Sequence, residues 1–371
     1  MKEIGLYIHI PYCKKKCHYC DFISFSGKEE TQNKYIQTIL KEISECTYTG
    51  FNIGTIYIGG GTPSIIDPAY ISQIIAKIRE KFIVSQNAEI TIEINPGTVD
   101  KEKLIEYKKA GINRLSIGLQ STDNAILKQI GRIHTYEDFR ETYNTARELG
   151  FDNINVDFML ALPEEDEWSI AIQISEIINL KPEHISCYSL ILEDGTELKR
   201  LVDEKQITLP TDEEERKMYW KMKELLEENG YEHYEISNFS LPGHRSRHNM
   251  DCWTQKEYLG FGTAAHSYFN GVRFSNPKTI EEYIEDYNKK EIEEEQTPET
   301  MKKEYMMLGL RKVEGVSISE FERKFQINPL FYFRFEISKL VDEELIEIDL
   351  DNIKLTKKGL DVANLVWEEF V

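Results

Sequence analysis

The chain has 371 residues, of which 40% are hydrophobic and 30% charged, with a formal net charge of −20 at pH 7. Its length allows two domains, or one barrel-sized domain with a smaller appendage, and its acidic balance argues against a nonspecific grip on nucleic acid or an anionic membrane. No apolar run approaches the ~18–20 residues of a membrane span, and Met1–Ile10 lacks the cationic start and long apolar stretch of a signal peptide. A cytoplasmic, reducing location is therefore expected, and the six cysteines are read as thiols or ligands rather than as disulfides.

A strand pattern at Leu6–Ile10 runs directly into Cys13-Lys-Lys-Lys-Cys17-His-Tyr-Cys20. Three clustered cysteines leave one unpaired in any disulfide scheme. A zinc site wants four ligands, and no second CxxC pair exists in the sequence. His18 is a conceivable fourth ligand, although its place between Cys17 and Cys20 points it away. A [4Fe–4S] cubane is the better account, with three thiolates holding three irons and the fourth iron open. The scattered Cys46 and Cys187 fall in helix- and strand-like runs and read as small buried hydrophobes.

Strand and helix patterns then alternate. Strands are expected at Thr55–Ile58, Ile90–Ile94, Arg114–Leu119, Asn153–Met159 and His184–Leu190. Helices are expected at Lys34–Glu45, Tyr70–Lys81, Lys101–Lys109, Glu137–Leu149 and Trp168–Asn179. Six βα units imply an α/β fold with a parallel sheet, either doubly wound or closed towards a barrel. The second strand ends in Gly59-Gly60-Gly61-Thr62-Pro63, where glycines let the backbone approach a ligand. Glu93, Gln120 and Asp157 recur at later strand ends, and Arg132 is a nearby cation. A carboxylate in an otherwise buried strand is costly unless it is paired or meets a ligand.

The pattern changes after Thr211. Residues 1–210 form the expected core, and 211–299 an extension with an acidic segment, Glu281–Glu299, expected to be a solvated helix or linker. Residues 300–371 alternate helices with a strand-turn-strand, Leu345–Asp349 and Ile353–Thr356, which suggests a winged-helix-like unit. That unit has no basic stripe, so DNA binding is not expected. Gly260-Phe-Gly262-Thr-Ala-Ala matches GxGxxA but lacks the βαβ context of a nicotinamide site.

CxxxCxxC with an aromatic before the last cysteine, followed by GGGTP, resembles the radical S-adenosylmethionine (radical SAM) superfamily. The ordered strand-end residues resemble its anaerobic coproporphyrinogen oxidase and HemW branch, over most of residues 4–371. The resemblance implies a partial (β/α)6 TIM-like barrel carrying a small C-terminal α+β winged-helix-like domain. It implies a [4Fe–4S] cluster on Cys13, Cys17 and Cys20, whose open iron takes the amino and carboxylate groups of S-adenosyl-L-methionine. Tyr7, Gly60, Gly61, Thr62, Glu93, Gln120, Arg132 and Asp157 would line the rest of that cofactor. Oxidases of the branch have a cysteine two residues after the third ligand and an extended N-terminal arm. Here Phe22 stands at that position, and Cys13 comes early in the sequence. Both features resemble the heme-chaperone family of the branch, which binds heme and passes it to acceptor hemoproteins such as respiratory enzymes.

His248-Asn-Met-Asp-Cys252-Trp253 resembles that family's H-N-x-x-Y-W signature, with Cys252 replacing the tyrosine. His248 is thus the candidate heme ligand, with Cys252 and His266 as alternatives. A coproporphyrinogen III oxidase, or another porphyrin-modifying radical enzyme, is the competing reading. The heme acceptor, the electron donor, cleavage of S-adenosylmethionine, peripheral membrane contact and the choice between monomer and dimer are left open by the sequence.

Overall fold

The computed structural model describes residues 2–22, 24–25 and 29–371. Six parallel strands, paired in chain order, form the centre: β1 (Lys2–Ile10), β2 (Phe51–Gly60), β3 (Val84–Ile94), β4 (Arg114–Gln120), β5 (Ile154–Leu160) and β6 (His184–Ser189). The helices between them are α1 (Glu29–Glu45), α2 (Pro68–Lys81), α3 (Lys101–Ala110), the short α4 (Asn124–Gln129) with α5 (Tyr136–Glu148), and α6 (Glu167–Leu180). After β6 come α7 (Glu197–Asp203) and α8 (Asp212–Glu228), and α8 packs on α6. This is the α/β architecture of a partial (β/α)6 barrel.

Alternation along the strands decides what lies on each face. Ile4, Leu6, Ile8 and Ile10 of β1, Ile56 and Ile58 of β2, and Ile90, Ile92 and Ile94 of β3 are buried in one continuous core with the helices. The intervening positions carry Tyr7, Thr55, Tyr57, Thr91 and Glu93, so the opposite face of the sheet is unusually polar. That polar face is where ligand contacts can be made.

Both edges of the parallel sheet are extended, giving a sheet of twelve strands among the described residues. Beyond β6 lie the antiparallel β7 (Glu232–Glu235) and β8 (Asn238–Ser240). Helix α9 (Arg247–Trp253) then leads to β9 (Tyr258–Phe261), which runs parallel to β1 on the far edge. A turn, not a helix, joins β9 to β10 (His266–Phe269), so the GxGxxA match does not open a βαβ unit. The edge is completed by β11 (Val272–Ser275) and β12 (Glu291–Glu295), with α10 (Ile280–Glu285) between them. The expected acidic linker is therefore a short helix and an edge strand. Its glutamates are mostly exposed, and like charges along an edge deter pairing with another chain.

The chain ends in α11 (Pro298–Gly309), β13 (Val316–Ser317), α12 (Ile318–Phe325), α13 (Pro329–Tyr332), α14 (Arg334–Asp342), β14 (Ile346–Asp349), β15 (Asn352–Leu355), α15 (Lys357–Asp361) and α16 (Ala363–Glu368). Strands β13, β15 and β14 form a small antiparallel sheet, and Phe321, Phe333 and Phe370 centre a separate hydrophobic cluster.

Glu42 of α1 holds the sheet extension to the barrel. Its buried carboxylate accepts from Gly262 N at 3.1 Å, Asn276 Nδ2 at 2.9 Å and the Tyr283 hydroxyl at 2.7 Å, and pairs with Lys290 at 3.1 Å. Removing one partner from such a buried network typically costs about 3–5 kcal/mol. Glu42→Ala is expected to destabilise the protein by that order in urea unfolding, and a loss under 1 kcal/mol would rule out the anchoring role.

Candidate functional site

The C-terminal ends of β1–β6 open onto a cavity of about 540 Å³. Cys13, Cys17 and Cys20 line it together with Gly60, Gly61, Thr62, Glu93, Gln120, Arg132 and Asp157. Residues spread over some 145 positions of sequence thus share one wall, as strand order requires.

The cysteine loop is pinned from several sides. Cys13 N donates to Phe25 O at 3.1 Å, His18 N to Ile130 O at 2.9 Å, and Leu198 N to His18 O at 2.8 Å. The His18 ring bonds Gln129 O through Nδ1 at 2.9 Å, so this side chain anchors the loop instead of joining the thiols. All three cysteines are free and partly accessible. Among the described residues, no three His, Cys, Asp or Glu side chains converge as they would around a single ion. A cubane instead places each thiolate on a different iron, and the donor set fits it. Cys187 is buried, and Cys46 lies half-buried just past α1.

The glycine loop is tied to β1 by Gly61 N to Ile10 O at 2.9 Å and Thr62 N to Tyr12 O at 2.7 Å. Gly60 adopts φ +115°, and a Cβ there would meet the His9 ring at 2.7 Å. Its N–H donates to Glu93 Oε2 at 3.1 Å, while Tyr57 donates to Glu93 Oε1 at 2.8 Å. Burial and the facing Asp157 push the Glu93 carboxyl up to about 7, against the lowering effect of the Tyr57 hydrogen bond. Asp157 is also raised by burial, although Asn155 Nδ2 at 2.7 Å, Tyr188 OH at 2.7 Å and Ser116 OH at 3.2 Å donate to it.

Arg132 enters from the loop after α4. Its Nη2 donates to Asn95 Oδ1 at 2.6 Å and Gly118 O at 2.7 Å, and its Nη1 lies 3.6 Å from Cys17 Sγ. Gly118 is required there, because a Cβ would lie 2.5 Å from Asn95 Oδ1. The Arg132 Nε is buried without a partner among the described residues, a donor left over for a ligand acceptor. Asn95 passes the contact on, its Nδ2 donating to Thr62 Oγ1 at 2.9 Å, and Thr62 Oγ1 lies 3.5 Å from Cys13 Sγ. Gln120, the last residue of β4, has φ +74°, a strained value at the cavity wall.

Two expected residues are not brought to the cavity. Tyr7 lies further down the strands, its hydroxyl bonded to His9 Nδ1 at 2.9 Å and its ring 6.3 Å from that of Tyr57. His248 is buried near the N-terminal ends of the strands. Its Nδ1 bonds Thr55 Oγ1 at 2.9 Å, its ring stacks on Tyr57 at 5.2 Å, and burial pulls its pKa down to about 4. The alternatives are elsewhere too. Cys252 sits on α9, its thiol pushed up to about 12 by burial, and exposed His266 lies on β10, 3.1 Å from Glu293. Sequence reasoning missed Asn95, Ser116, Tyr57 and Tyr188, although Asn95 lies two residues after Glu93 and Tyr57 two before Gly59.

A strand-end cavity with three thiols, a glycine cradle and a carboxylate-rich wall defines the radical SAM class. A family model for the radical SAM superfamily matches residues 7–172, and one for the HemN C-terminal domain matches residues 296–362. The chain is 34% identical to the heme chaperone HemW of Lactococcus lactis subsp. lactis, over 100% of this chain and 98% of that protein. It is 35% identical to HemW of Bacillus subtilis, over 98% of both. The chain belongs to the HemW family of radical SAM proteins. Its fold is that of the coproporphyrinogen III oxidase HemN of Escherichia coli, with a TM-score of 0.86 and 22% identity over 100% of this chain and 90% of that one. Membership of this superfamily implies a [4Fe–4S] cluster and S-adenosylmethionine.

Glu93 carries the pH dependence of this wall. Its native pKa lies above the unfolded value, so the folded chain holds a proton that the unfolded chain has released. Stability from this group is present below the ordinary carboxylate range and is lost as pH rises towards 7. Infrared difference spectra should show a protonated carboxyl band at pH 6 that fades by pH 8 and is missing in Glu93→Gln. A band that persists unchanged in the variant assigns the proton to another group.

Proposed function

We propose that the protein is a heme chaperone, which binds heme and hands it to acceptor hemoproteins, and that it keeps a cluster and an S-adenosylmethionine site beside that task. The end-to-end likeness to HemW chaperones carries this reading, and Phe22 at the mouth of the cavity, where the oxidases have cysteine, supports it. Cys13, Cys17 and Cys20 would hold the cluster. The Gly60–Thr62 backbone and Glu93 would receive the amino group of S-adenosylmethionine, and Arg132 its carboxylate, using the unpartnered Nε. Gln120 and Asp157 would contact its remaining polar groups. The cluster, when bound, supplies an open iron and an electron. The protein's own groups do the positioning: Asn95 orients Arg132, Tyr57 orients Glu93, and Tyr188 with Asn155 holds Asp157.

Anaerobically reconstituted protein should contain about four irons per chain, the usual cubane content. Cys13→Ala, Cys17→Ala or Cys20→Ala should lose that iron, and Cys46→Ala and Cys187→Ala should keep it. Equal iron loss in the latter pair counts against the assignment.

Deleting a charge-assisted contact costs about 1.5–3 kcal/mol, or roughly 10- to 150-fold in affinity. Arg132→Ala should weaken S-adenosylmethionine binding by that factor in calorimetry while leaving the iron content intact. The chaperone reading itself is tested by adding heme and following the Soret band, then by anaerobic incubation with coproporphyrinogen III, S-adenosylmethionine and reductant. Heme binding without protoporphyrinogen formation is expected. Turnover at an enzymatic rate would overthrow the chaperone reading in favour of the oxidase.

A further inference from the structure

The wall of the cavity is polar, but its rim also carries large exposed apolar side chains. Phe22 is 65% exposed, Ile191 71% and Ile133 44%, and all three line the same opening, with Leu190 and Met159 beside them. Large apolar side chains gathered at one opening mark a binding surface. The polar wall beneath suits the amino, carboxylate and hydroxyl groups of S-adenosylmethionine, and the exposed apolar side chains of the rim are open to a second ligand.

Lys14, Lys15 and Lys16 border the same opening and outnumber its two exposed carboxylates, Asp21 and Glu193. The three lysines are exposed, and none forms an ion pair among the described residues. In a chain of net charge −20, three adjacent unpaired cations beside an apolar rim are distinctive. The complementary ligand is flat and apolar, with two carboxylates on one edge. Heme has this shape and charge.

We propose that heme binds across the mouth of this cavity, its macrocycle against Phe22, Ile133 and Ile191 and its propionates towards Lys14–Lys16. The proposal rests on the heme-chaperone reading and adds the place. None of His248, Cys252 and His266 lines this cavity. Heme there is held by its faces and its carboxylate edge, without an axial bond from those residues, and leaves without breaking one. Heme at the mouth also covers whatever is bound on the polar wall below.

The test uses full-length, cluster-reconstituted protein and heme titration followed at the Soret band. The wild type, Ile191→Asp, a Lys14→Gln/Lys15→Gln/Lys16→Gln triple variant and His248→Ala are compared, with iron content and S-adenosylmethionine affinity measured for each. Ile191→Asp sets a carboxylate against the macrocycle and should weaken heme roughly tenfold or more. Loss of the exposed cations should weaken it roughly tenfold. Heme dimethyl ester, which has no propionate charge, should bind the wild type and the triple variant alike. His248→Ala should retain heme.

Wild-type-like heme affinity in Ile191→Asp, with its iron content intact, overturns the site, as does selective loss of heme in His248→Ala. An ester that discriminates the triple variant as strongly as heme does overturns the propionate assignment. No heme binding by the wild type overturns the chaperone reading and the site with it, an outcome distinct from the others because no variant is then involved.

Discussion

Two carboxylates facing one another inside a sheet are the constraint around which this site is organised. Glu93 and Asp157 project from the polar face of β3 and β5, and each raises the pKa of its surroundings or is raised by them. A charge so placed is tolerable only when neighbouring strands supply donors. Tyr57 and the Gly60 amide serve Glu93, and Asn155, Ser116 and Tyr188 serve Asp157. The polar residues between the buried isoleucines therefore form one matched set. Changing the carboxylates alone would leave tyrosine and asparagine donors unpaired, which costs more than losing both members of a pair.

Arg132 stands outside that set, and its independence is informative. Its hydrogen bonds go to the neutral Asn95 side chain, a backbone carbonyl and the Cys17 sulfur, and among the described residues no carboxylate forms an ion pair with it. A guanidinium kept from the carboxylates keeps its charge available for an anionic group. The separation of cation from anions across one cavity suits a zwitterionic amino acid, which brings an ammonium and a carboxylate together.

Local spacing made the cluster and the glycine turn legible in the sequence, since Cys13–Cys20 and Gly59–Pro63 each lie within a few residues. The six βα units were legible because apolar residues recur at alternate positions along the strands. What spacing cannot carry is level along the barrel. His248 and Trp253 sit in an aromatic-rich stretch whose sequence has no signal of height. The level is set by Arg247 N and His248 N, which donate at 3.1 Å to Glu89, four residues before Glu93. At ~3.3 Å per strand residue that places the helix about 13 Å from the cavity wall. The acidic stretch holds the expected solvated helix at Ile280–Glu285, but the strand after it was not legible for a related reason. Glutamates disfavour a central strand, but an exposed edge strand accepts them, and only pairing with β11 reveals the edge.

Helix α9 then has a structural reading that accounts for both ends of its signature. From its first turn, His248 reaches under the barrel and stacks on Tyr57, whose hydroxyl holds Glu93. From its last turn, Trp253 packs in the other direction, with the Arg311 guanidinium 4.6 Å over its ring, and the same guanidinium lies 4.2 Å over Trp367 of α16. The one short helix thus joins the floor of the cofactor wall to the C-terminal hydrophobic unit. His248 and Trp253, five positions apart, meet surfaces that belong to different parts of the chain. Cys252, a free and partly accessible thiol, lies between them, where the related signature has tyrosine. Both the His248–Tyr57 stack and the Arg311 contact over Trp253 are made with cysteine at that position.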